Sequence, residues 1–451
     1  MQKLLIANRG EIARRIMKTC RENGILTVAV YSDADKDLPF VQEADESVRI
    51  GPPPVAQSYL NAEAIVDAAR QTGADAIHPG YGLLSENADF ARRVQDAGIT
   101  FVGPDADVIA AMGDKVTARR RMAEAGVPIV PGTDGVKDVE QAVREAEAFG
   151  YPVMLKASAG GGGIGMQVLD SEEALIQAFP ALQGRAKAYF GDGSLFLEKF
   201  IAHPRHVEVQ VMADQYGNVI HLLERECSVQ RRNQKVIEEC PSPSIQQETR
   251  EALWQAAVKA AQAVGYSGAG TVEFLVDAKE EVYFLEMNTR LQVEHPVTEM
   301  VTGLDLVHMQ LKVAQGEKLT IEQDDVRIQG HAIEYRVYAE DPDRFLPSPG
   351  KLNRFVPPVM EGVRVDAGVT EGSQITPFYD PMIAKCIIHG DDRQTALKRS
   401  KEALATFEIE GIKHNLPLFT RVLDHPDFVA GHYDTALLTK MNNHAGKGLE
   451  K

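Results

Sequence analysis

Short apolar segments alternate with amphipathic segments through residues 3–102, and this alternation constrains the fold more than any other feature. Lys3–Ala7 and Thr27–Tyr31 are typical of strands. Glu11–Arg21 is typical of a helix, because Ile12 and Ile16 fall on one face. Strands that alternate with helices predict a parallel sheet covered by helices. We therefore expect an N-terminal α/β domain with a binding site at the edge of its sheet.

The composition limits which partners the protein can bind and in which cell compartment it is expected. The chain has 451 residues and a formal net charge of −17, and this length predicts about three domains. Such an acidic chain is not expected to bind nucleic acid or an anionic membrane surface, although a local basic pocket can still hold an anion. No apolar run approaches the ~20 residues of a membrane span, and the four cysteines include no CxxC pair. A cytoplasmic location is expected.

A glycine run follows a predicted strand in the second part of the chain. The strand Pro152–Ala157 leads toward the consecutive glycines Gly160–Gly163. Consecutive glycines are unfavourable within a strand, but their bare N–H groups can approach phosphate oxygens. Lys156 precedes the glycines and no Gly-Lys-Ser/Thr follows, so this is not a Walker P-loop. We interpret the run as a mobile flap over phosphate; the alternative is a flexible linker.

Polar side chains occupy alternate positions directly after the apolar stretch Val282–Leu285. They are Glu286, Asn288, Arg290, Gln292 and Glu294. In an extended chain these side chains would share one face. A half-exposed strand could show the same alternation. Two carboxylates, two amides and a guanidinium, followed at once by His295-Pro296, favour a functional site instead.

Glu273 and Glu286 are carboxylate residues within two apolar predicted strands. The strands Gly270–Val276 and Glu281–Met287 are predicted to form a hairpin, which would set the two side chains opposite one another. Facing carboxylates repel unless a cation lies between them. Together with Asn288 they offer the oxygen ligands that suit Mg²⁺ or Mn²⁺. The alternative is an ordinary cross-strand pair with partners elsewhere.

Two further polar segments carry cations. Arg205-His206-Val207-Glu208 opens a predicted strand, and residues 230–235, Gln-Arg-Arg-Asn-Gln-Lys, hold three cations. The second segment is either a solvated basic loop or an anion pocket, and both interpretations stay open at this point. His206 taken alone is more often a structural histidine.

Six segments form a pattern that is highly specific as a set. They are Ile6–Ala13, His78–Asn87, Lys156–Met166, Arg205–Glu208, Glu286–Thr298 and Phe345–Gly350. The set resembles biotin carboxylase, the ATP-grasp component of biotin-dependent carboxylases such as acetyl-CoA carboxylase. The glycine loop or the Glu-x-Asn alone would indicate only an ATP-grasp enzyme.

The resemblance implies roles for individual residues. For ATP it implies Lys115, Lys156, Gly162, Gly163, Glu198, Lys199, Phe200, Ile201 and His206, and Asn233 stands where relatives contact the nucleotide. For divalent metal it implies Glu273, Glu286 and Asn288. For bicarbonate it implies Lys235, Arg290 and the backbone of Val293. Glu294 would deprotonate bicarbonate, and Arg336 would stabilise the biotin enolate.

The implied reaction is ATP- and bicarbonate-dependent carboxylation of biotin through carboxyphosphate, giving carboxybiotin, ADP and phosphate. The expected fold mixes α/β and α+β parts. A Rossmann-like parallel sheet domain would span 1–114, an ATP-grasp domain 115–328 with a mobile lid at about 131–203, and a mixed α/β domain 329–446. Expected partners are a separate biotin carboxyl carrier protein and carboxyltransferase subunits, and the expected assembly is a homodimer.

Two positions depart from the family pattern. Asn233 stands where relatives usually carry His, and Ile164 stands where the glycine loop often carries a basic residue. Two alternatives therefore stay open: an ATP-grasp carboxylase or ligase for another, urea-type acceptor, and a regulatory paralogue with weakened ATP binding. The retained Arg336 argues against the first, and the retained metal ligands and bicarbonate cations argue against the second.

Overall fold

The computed structural model describes residues 1–158 and 165–446, with side chains as far as residue 441. Its N-terminal part contains β1 (Lys3–Ile6), α1 (Gly10–Glu22), β2 (Leu26–Ser32), α2 (Pro39–Glu43), β3 (Glu46–Gly51), α3 (Ala62–Thr72), β4 (Ala76–His78), α4 (Ala88–Asp96), β5 (Thr100–Phe101) and α5 (Ala106–Gly113). The strands form a parallel sheet in the order β3-β2-β1-β4-β5. The predicted parallel sheet is confirmed. Strand β3 escaped prediction because it is a largely exposed, charged edge strand.

A small antiparallel sheet follows, and it carries Lys156. This part contains α6 (Lys115–Glu124), α7 (Val139–Phe149), β6 (Val153–Ala157), β7 (Met166–Leu169), α8 (Glu172–Phe190) and β8 (Leu195–Lys199). The strand order is β7-β6-β8, and apolar residues of α7 and α8 cover one face of the sheet. The expected contacts of Gly162 and Gly163, and the departure at Ile164, lie outside the described residues.

One large antiparallel sheet forms the centre of the molecule. Its strands and the helices between them are β9 (Arg205–Ala213), β10 (Val219–Arg231), β11 (Gln234–Cys240), α9 (Gln247–Ala263), β12 (Gly268–Val276), β13 (Val282–Asn288), α10 (His295–Thr302), α11 (Leu306–Ala314) and β14 (His331–Tyr338). The chain then continues through β15 (Gly350–Lys351), β16 (Arg354–Val356), β17 (Val363–Ala367), β18 (Gln374–Ile375) and β19 (Met382–Gly390). The eight-stranded order is β13-β12-β9-β10-β11-β14-β19-β17.

The C-terminal part adds helices around this sheet: α12 (Arg393–Ala405), α13 (Leu416–Leu423), α14 (Pro426–Ala430) and α15 (Leu437–Gly446), with β20 (Glu408–Glu410) paired to β16. The central sheet continues across the expected boundary at 328/329, since β11 pairs with β14. The domain boundaries therefore stay a prediction. None of the described helices combines the length and the apolar character that a bilayer crossing needs.

Candidate active site

The ammonium group of Lys235 lies among three buried carboxylates. Its Nζ donates to Glu208 Oε2 at 2.5 Å, to Glu273 Oε1 at 2.8 Å and to Glu294 Oε1 at 2.7 Å. An ammonium has three N–H groups, so each one serves a different carboxylate. Burial would lower the pKa of Lys235, but the three carboxylates raise it well above its ordinary value. The lysine is therefore a fixed positive charge on the central sheet.

Glu273 accepts hydrogen bonds on both carboxylate oxygens. His206 Nε2 lies 2.7 Å from Oε2, while Asn288 Nδ2 and Gln292 Nε2 donate to Oε1 at 2.8 and 2.7 Å. Burial would raise the pKa of Glu273, but Lys235 and His206 hold it well below its ordinary value. The carboxylate is ionised at neutral pH, and all four of its partners, including Lys235, come from other elements of the fold.

The polar row from Glu286 to Glu294 does not form one extended face. Strand β13 ends at Asn288, and residues 289–294 turn into α10, whose first turn contains Pro296. Leu291, fully buried in the main core, anchors this turn. The expectation of a single strand face is wrong beyond Asn288, because the chain must leave the sheet to begin the helix. The polar side chains still converge, since Asn288 and Gln292 reach Glu273 while Glu294 reaches Lys235.

Glu286 is the carboxylate of the row that stays open to solvent. It is opposite Glu273 in the register of β12 and β13, as the hairpin prediction expected. Desolvation in the cleft and then repulsion from Glu273 raise the pKa of Glu286, while Lys115 opposes the shift. A hard divalent cation near the two carboxylates would relieve this repulsion. Carboxylate and amide oxygens at Glu273, Glu286 and Asn288 therefore fit Mg²⁺ by their chemistry.

Two other groups of ligand-type atoms are compact enough to hold a metal ion. One comprises His206, Glu208 and Glu273, and the other comprises Glu208, Cys227 and Glu294, with ligand atoms within 4.8 Å of one another. Lys235 already donates to every carboxylate in both groups. Its charge occupies the electrostatic role that a cation would fill there, so Glu286 is the better candidate ligand.

Arg290 links the turn of residues 289–294 to the N-terminal part of the fold. Its Nε donates to Glu86 Oε2 at 2.8 Å, and its Nη2 donates to Asn288 Oδ1 at 3.0 Å. The other oxygen of Glu86 accepts the Thr289 N–H at 3.0 Å. Glu86 thereby fixes both the backbone and the guanidinium of this turn. The guanidinium is held beside Asn288, at the edge of the carboxylate cluster.

Glu294 lies between two cations. Besides its bond to Lys235, its Oε2 accepts from Arg336 Nη2 at 2.9 Å, and Arg336 also forms an ion pair with Glu238. Burial would raise the pKa of Glu294, but Lys235 and Arg336 hold it well below its ordinary value. The preceding carbonyl, of Val293, accepts from Lys385 Nζ at 2.8 Å. The Val293 N–H group would therefore be the backbone group that donates to an anion.

Three of the residues expected to bind ATP form a second cluster. Lys156 Nζ pairs with Glu198, whose other oxygen accepts from Arg119 Nη1 at 3.2 Å. Lys115, at the start of α6, has its pKa lowered by desolvation, while Glu286 opposes that shift. Two lysines and one carboxylate thus line the cleft between the small sheet and the large one. The electrostatic contact between Lys115 and Glu286 connects this cluster to the carboxylates.

The other residues expected to bind ATP lie at the end of β8 and on β9. Backbone bonds hold Lys199 to the carbonyl of Pro131 at 2.8 Å and Phe200 to that of Pro152 at 3.1 Å, and Ile201 follows them, buried. These bonds keep the segment with the small sheet, apart from the carboxylate cluster. His206 belongs to the cluster instead, through its bond to Glu273.

His206 is held in one orientation. Gln230 Nε2 lies 2.6 Å from its Nδ1, so Nε2 carries the proton that faces Glu273. Burial opposes protonation of the second nitrogen, but Glu273 more than offsets it and the pKa of His206 is raised. Of the polar segment 230–235, Gln230 and Lys235 therefore point into the cluster. The segment is therefore neither a solvated basic loop nor a simple anion pocket. It forms the end of β10, a two-residue turn and the start of β11.

Asn233 lies in a tight turn between those strands. Arg231 pairs with Gln234, so Arg232 and Asn233 alone form the connection, with φ values of 48° and 65°. Positive φ at both central residues is typical of a type I′ hairpin turn, in which Asn is favoured because it tolerates the left-handed conformation. The asparagine therefore suits this backbone, and it lies two residues before Lys235.

Substitution of Asn233 separates a turn role from a nucleotide contact. We expect Asn233→Gly to keep the stability of the protein, and Asn233→Ala to lower the free energy of unfolding by about 1 kcal/mol, because only alanine is strained at positive φ. Chemical denaturation measures the stability, and calorimetric titration measures ATP affinity. Equal loss of ATP affinity in both variants would indicate a side-chain contact with ATP. Equal loss of stability in both would contradict the turn role.

Sequence reasoning missed several residues that hold the cluster together. Arg225 is fully buried, and its guanidinium donates to five acceptors. They are Glu208 Oε1 at 2.6 Å, Gln210 Oε1 at 2.7 Å, Thr298 Oγ1 at 3.1 Å, Thr271 Oγ1 at 3.1 Å and Gln292 Oε1 at 3.2 Å. Glu208 and Glu86 lay within matched segments without an assigned role. The available signal for Arg225 was the run of three charged residues Glu224-Arg225-Glu226, which continues the predicted strand.

Three family models together match nearly the whole chain. They are "Biotin carboxylase, N-terminal domain" at residues 1–109, "Carbamoyl-phosphate synthase L chain, ATP binding domain" at 114–322 and "Biotin carboxylase C-terminal domain" at 334–440. Among curated proteins, the biotin carboxylase of Halalkalibacterium halodurans is 56% identical over 439 residues, covering 97% of each chain.

Solved structures match at the level of the whole fold. A Campylobacter jejuni biotin carboxylase in a β,γ-ATP complex superposes with a TM-score of 0.95 at 46% identity, covering 97% of this chain and 98% of the other. The biotin carboxylase domain dimer of Hydrogenobacter thermophilus 2-oxoglutarate carboxylase, with MgADP, ADP and bicarbonate, superposes with a TM-score of 0.93 at 49% identity. It covers 97% of each chain.

Proposed function

The chain belongs to the biotin carboxylase family, and from this premise we propose that the cleft around Lys235 activates bicarbonate with ATP and transfers the carboxyl group to biotin. The enzyme is an ATP-dependent ligase that uses Mg²⁺ and acts on carrier-bound biotin. The observation that carries the residue roles is the position of Glu294, which contacts Lys235 on one side and Arg336 on the other. One anionic base thus lies between two cations that can each hold an anion.

Bicarbonate is a poor electrophile, and the residues around Glu294 supply what its activation needs. Lys235 and Arg290 are cations that can attract the anion, and the Val293 N–H can orient it. Glu294 is ionised because its pKa lies well below the ordinary value, so it can accept the bicarbonate proton. Deprotonated bicarbonate is the better nucleophile toward the terminal phosphate of ATP. Fixed cations on the transferring group then stabilise the developing charge.

Arg336 serves the second half-reaction in this proposal. Carboxyphosphate yields CO₂ and phosphate, and the phosphate takes the proton from biotin N1. The resulting enolate oxygen is anionic, and a guanidinium that is always protonated suits it. Arg336 contacts Glu294 directly, so the proposed bicarbonate site and the proposed biotin site are adjacent. A short path between them would protect the hydrolysable intermediate from water.

ATP would be bound by Lys115, Lys156 and Glu198. Residues 199–201 would lie beside its adenine ring, and His206 would lie near the proposed metal ligands. Gly162, Gly163 and Asn233 are further expected contacts. When bound, Mg²⁺ neutralises phosphate charge and orients the terminal phosphoryl group. Glu273, Glu286 and Asn288 are the residues whose oxygens would hold it.

A biotin carrier partner suits the reaction, because a mobile arm can bring carrier-bound biotin into the cleft. We propose a separate biotin carboxyl carrier protein, a carboxyltransferase subunit that selects the final acceptor, and a homodimer like that of the related domain dimer. A role in fatty acid biosynthesis as part of an acetyl-CoA carboxylase, and a cytoplasmic location, belong to the same proposal.

The test of the function is ATP cleavage by the purified protein with Mg²⁺, bicarbonate and free biotin. We expect ADP formation that requires bicarbonate and rises with biotin, with transfer of labelled bicarbonate to biotin in parallel. Urea in place of biotin is the matched control for the other acceptor class.

Two outcomes would contradict the proposal. ATP cleavage that ignores biotin but rises with urea would support the urea-type alternative. No cleavage even at saturating ATP, together with weakened ATP binding in a calorimetric titration, would support a regulatory paralogue.

A further inference from the structure

Two buried carboxyl groups lie directly behind Arg336. Glu238 on β11 and Glu334 on β14 are Cα partners in the antiparallel register, and both side chains are fully buried. The Cβ atoms of directly opposed residues lie about 4.5–5.5 Å apart, and like charges at that distance destabilise a sheet. Two ionised carboxylates at these positions would therefore be strongly unfavourable.

The carboxyl oxygens of this pair have few polar partners in the described part of the chain. Within residues 1–158 and 165–446, none of the four oxygens accepts a hydrogen bond of ordinary geometry. Glu238 makes one ion pair, with Arg336 Nη2. No cation in the same part of the chain forms an ion pair with Glu334. The two carboxyls therefore differ in one respect: only Glu238 touches a positive charge.

Charged and titratable groups from several neighbouring elements face the pair. The groups that face it are Arg336 and Tyr338 on β14, Lys385 and Cys386 on β19, Lys235 on β11, Cys227 on β10 and Glu294 in the turn before α10. Apolar residues of α10, including Val297 and Val301, pack over Ala332 and Ile387 on the same part of the sheet. Lys385 already serves the Val293 carbonyl and Glu11.

We infer that Glu238 and Glu334 form a buried carboxyl pair in which Glu334 keeps the proton and ionised Glu238 positions Arg336 for the biotin half-reaction. This inference rests on the proposed function of Arg336. Arg336 Nη2 contacts Glu238 and Glu294 together, so both carboxylates hold the same nitrogen of the guanidinium. Glu238 does not touch substrate in this account and is a positioning residue. Protonation of Glu238 removes one of the two contacts and frees the guanidinium to rotate.

The pKa shifts of the two carboxyl groups agree with a protonated Glu334 beside an ionised Glu238. Burial raises the pKa of Glu238 to about 7, although Arg336 opposes the shift. Burial raises the pKa of Glu334 well above its ordinary value, with Lys385 opposing and Glu238 adding to it. Glu294 stays ionised through the same range, because its pKa is held well below its ordinary value. Loss of activity on acidification toward neutral pH would therefore not report the base, and Glu238 is the carboxyl of this pair that can account for it.

The test is the pH profile of biotin carboxylation in Glu238→Gln, with Glu334→Gln as the matched variant. In the wild type we expect kcat to fall on acidification with a midpoint near 7. Glu238→Gln should lower kcat for biotin carboxylation by about 10²-fold and leave the KM for ATP within about threefold. It should also abolish the fall in kcat on acidification, which we call the acid limb of the profile. Glu334→Gln should keep the acid limb, since it replaces a neutral group by a neutral group. An unchanged acid limb in Glu238→Gln, or its loss only in Glu334→Gln, would overturn the inference.

Infrared difference spectroscopy provides a readout that does not depend on turnover or on the proposed function. A protonated carboxyl band that persists above neutral pH should vanish in Glu334→Gln and remain in Glu238→Gln. A band that vanishes in neither variant, or in Glu238→Gln alone, would contradict the proton assignment. Failure of the wild-type protein to carboxylate biotin would instead refute the proposed function, with the infrared result standing on its own.

Discussion

Replacing Lys235 with methionine is expected to lower the rate of bicarbonate-dependent ATP cleavage by about 10³-fold. Methionine keeps most of the side-chain volume but removes all three hydrogen bonds to Glu208, Glu273 and Glu294. Bicarbonate would lose a cation and would meet three carboxylates in its place. The measurement is ADP release with and without bicarbonate at saturating Mg²⁺-ATP.

The same substitution should also destabilise the fold, and the two effects need to be separated. Removal of one partner from a buried ionic group costs about 3–5 kcal/mol. Addition of Glu208→Gln to Lys235→Met should restore much of that stability, because it removes one carboxylate and still accepts a bond from Arg225. Activity should not return in the double variant. Recovery of activity along with stability would mean that Lys235 only balances charge.

The pH dependence of stability gives a second check on Lys235. In the wild type, Glu273 and Glu294 have pKa values well below the ordinary value, so their contribution to stability persists above the unfolded pKa and is lost only as pH falls through the folded one. Without the lysine, the carboxylate pKa values should rise above those of the unfolded chain. The stability deficit of Lys235→Met should then shrink as pH falls from about 8 to about 5, since protonation replaces the missing ammonium.

Sequence patterns predicted the elements that obey one simple periodicity. The parallel N-terminal sheet and the hairpin that sets Glu273 opposite Glu286 follow from helix and strand periods alone. The polar row was harder, because alternation cannot distinguish a strand from a turn that leads into a helix. The buried Leu291 and the start of α10 at His295 decide that geometry, and both depend on tertiary packing.

The residues that sequence analysis missed are those whose partners are distant in the chain. Arg225 and Glu238 lie in buried strands, and neither belongs to a local motif. Their importance appears only when β9, β10, β11 and β14 become neighbours in one sheet, which sets Glu238 opposite Glu334. Strand order across such distances depends on the packing of the whole sheet, which local patterns do not contain. Recognition of the motifs gave the expected site residues, but not the network that orients them.

Replacing Glu294 with glutamine is expected to abolish bicarbonate activation and to leave ATP binding nearly intact. General-base catalysis contributes about 10²–10⁴-fold, so we expect bicarbonate-dependent ATP cleavage to fall by about 10³-fold. The amide also presents N–H groups to Lys235 or Arg336, where the carboxylate accepted from both. Glu294 is apart from the cluster of Lys156 and Glu198, so the Kd for ATP should change by less than about threefold.

Arg336→Gln is the matched control, because it removes the neighbour of Glu294 without removing the base. Arg336 is assigned to the enolate, so its loss should reduce biotin carboxylation while bicarbonate-dependent ATP cleavage continues. Glu294→Gln should reduce both reactions, since no carboxyphosphate would form. Equal loss of both reactions in the two variants would show that Glu294 and Arg336 act as one unit. Wild-type ATP cleavage in Glu294→Gln would refute its role as the base, and the anion site would then have to be sought nearer Arg290.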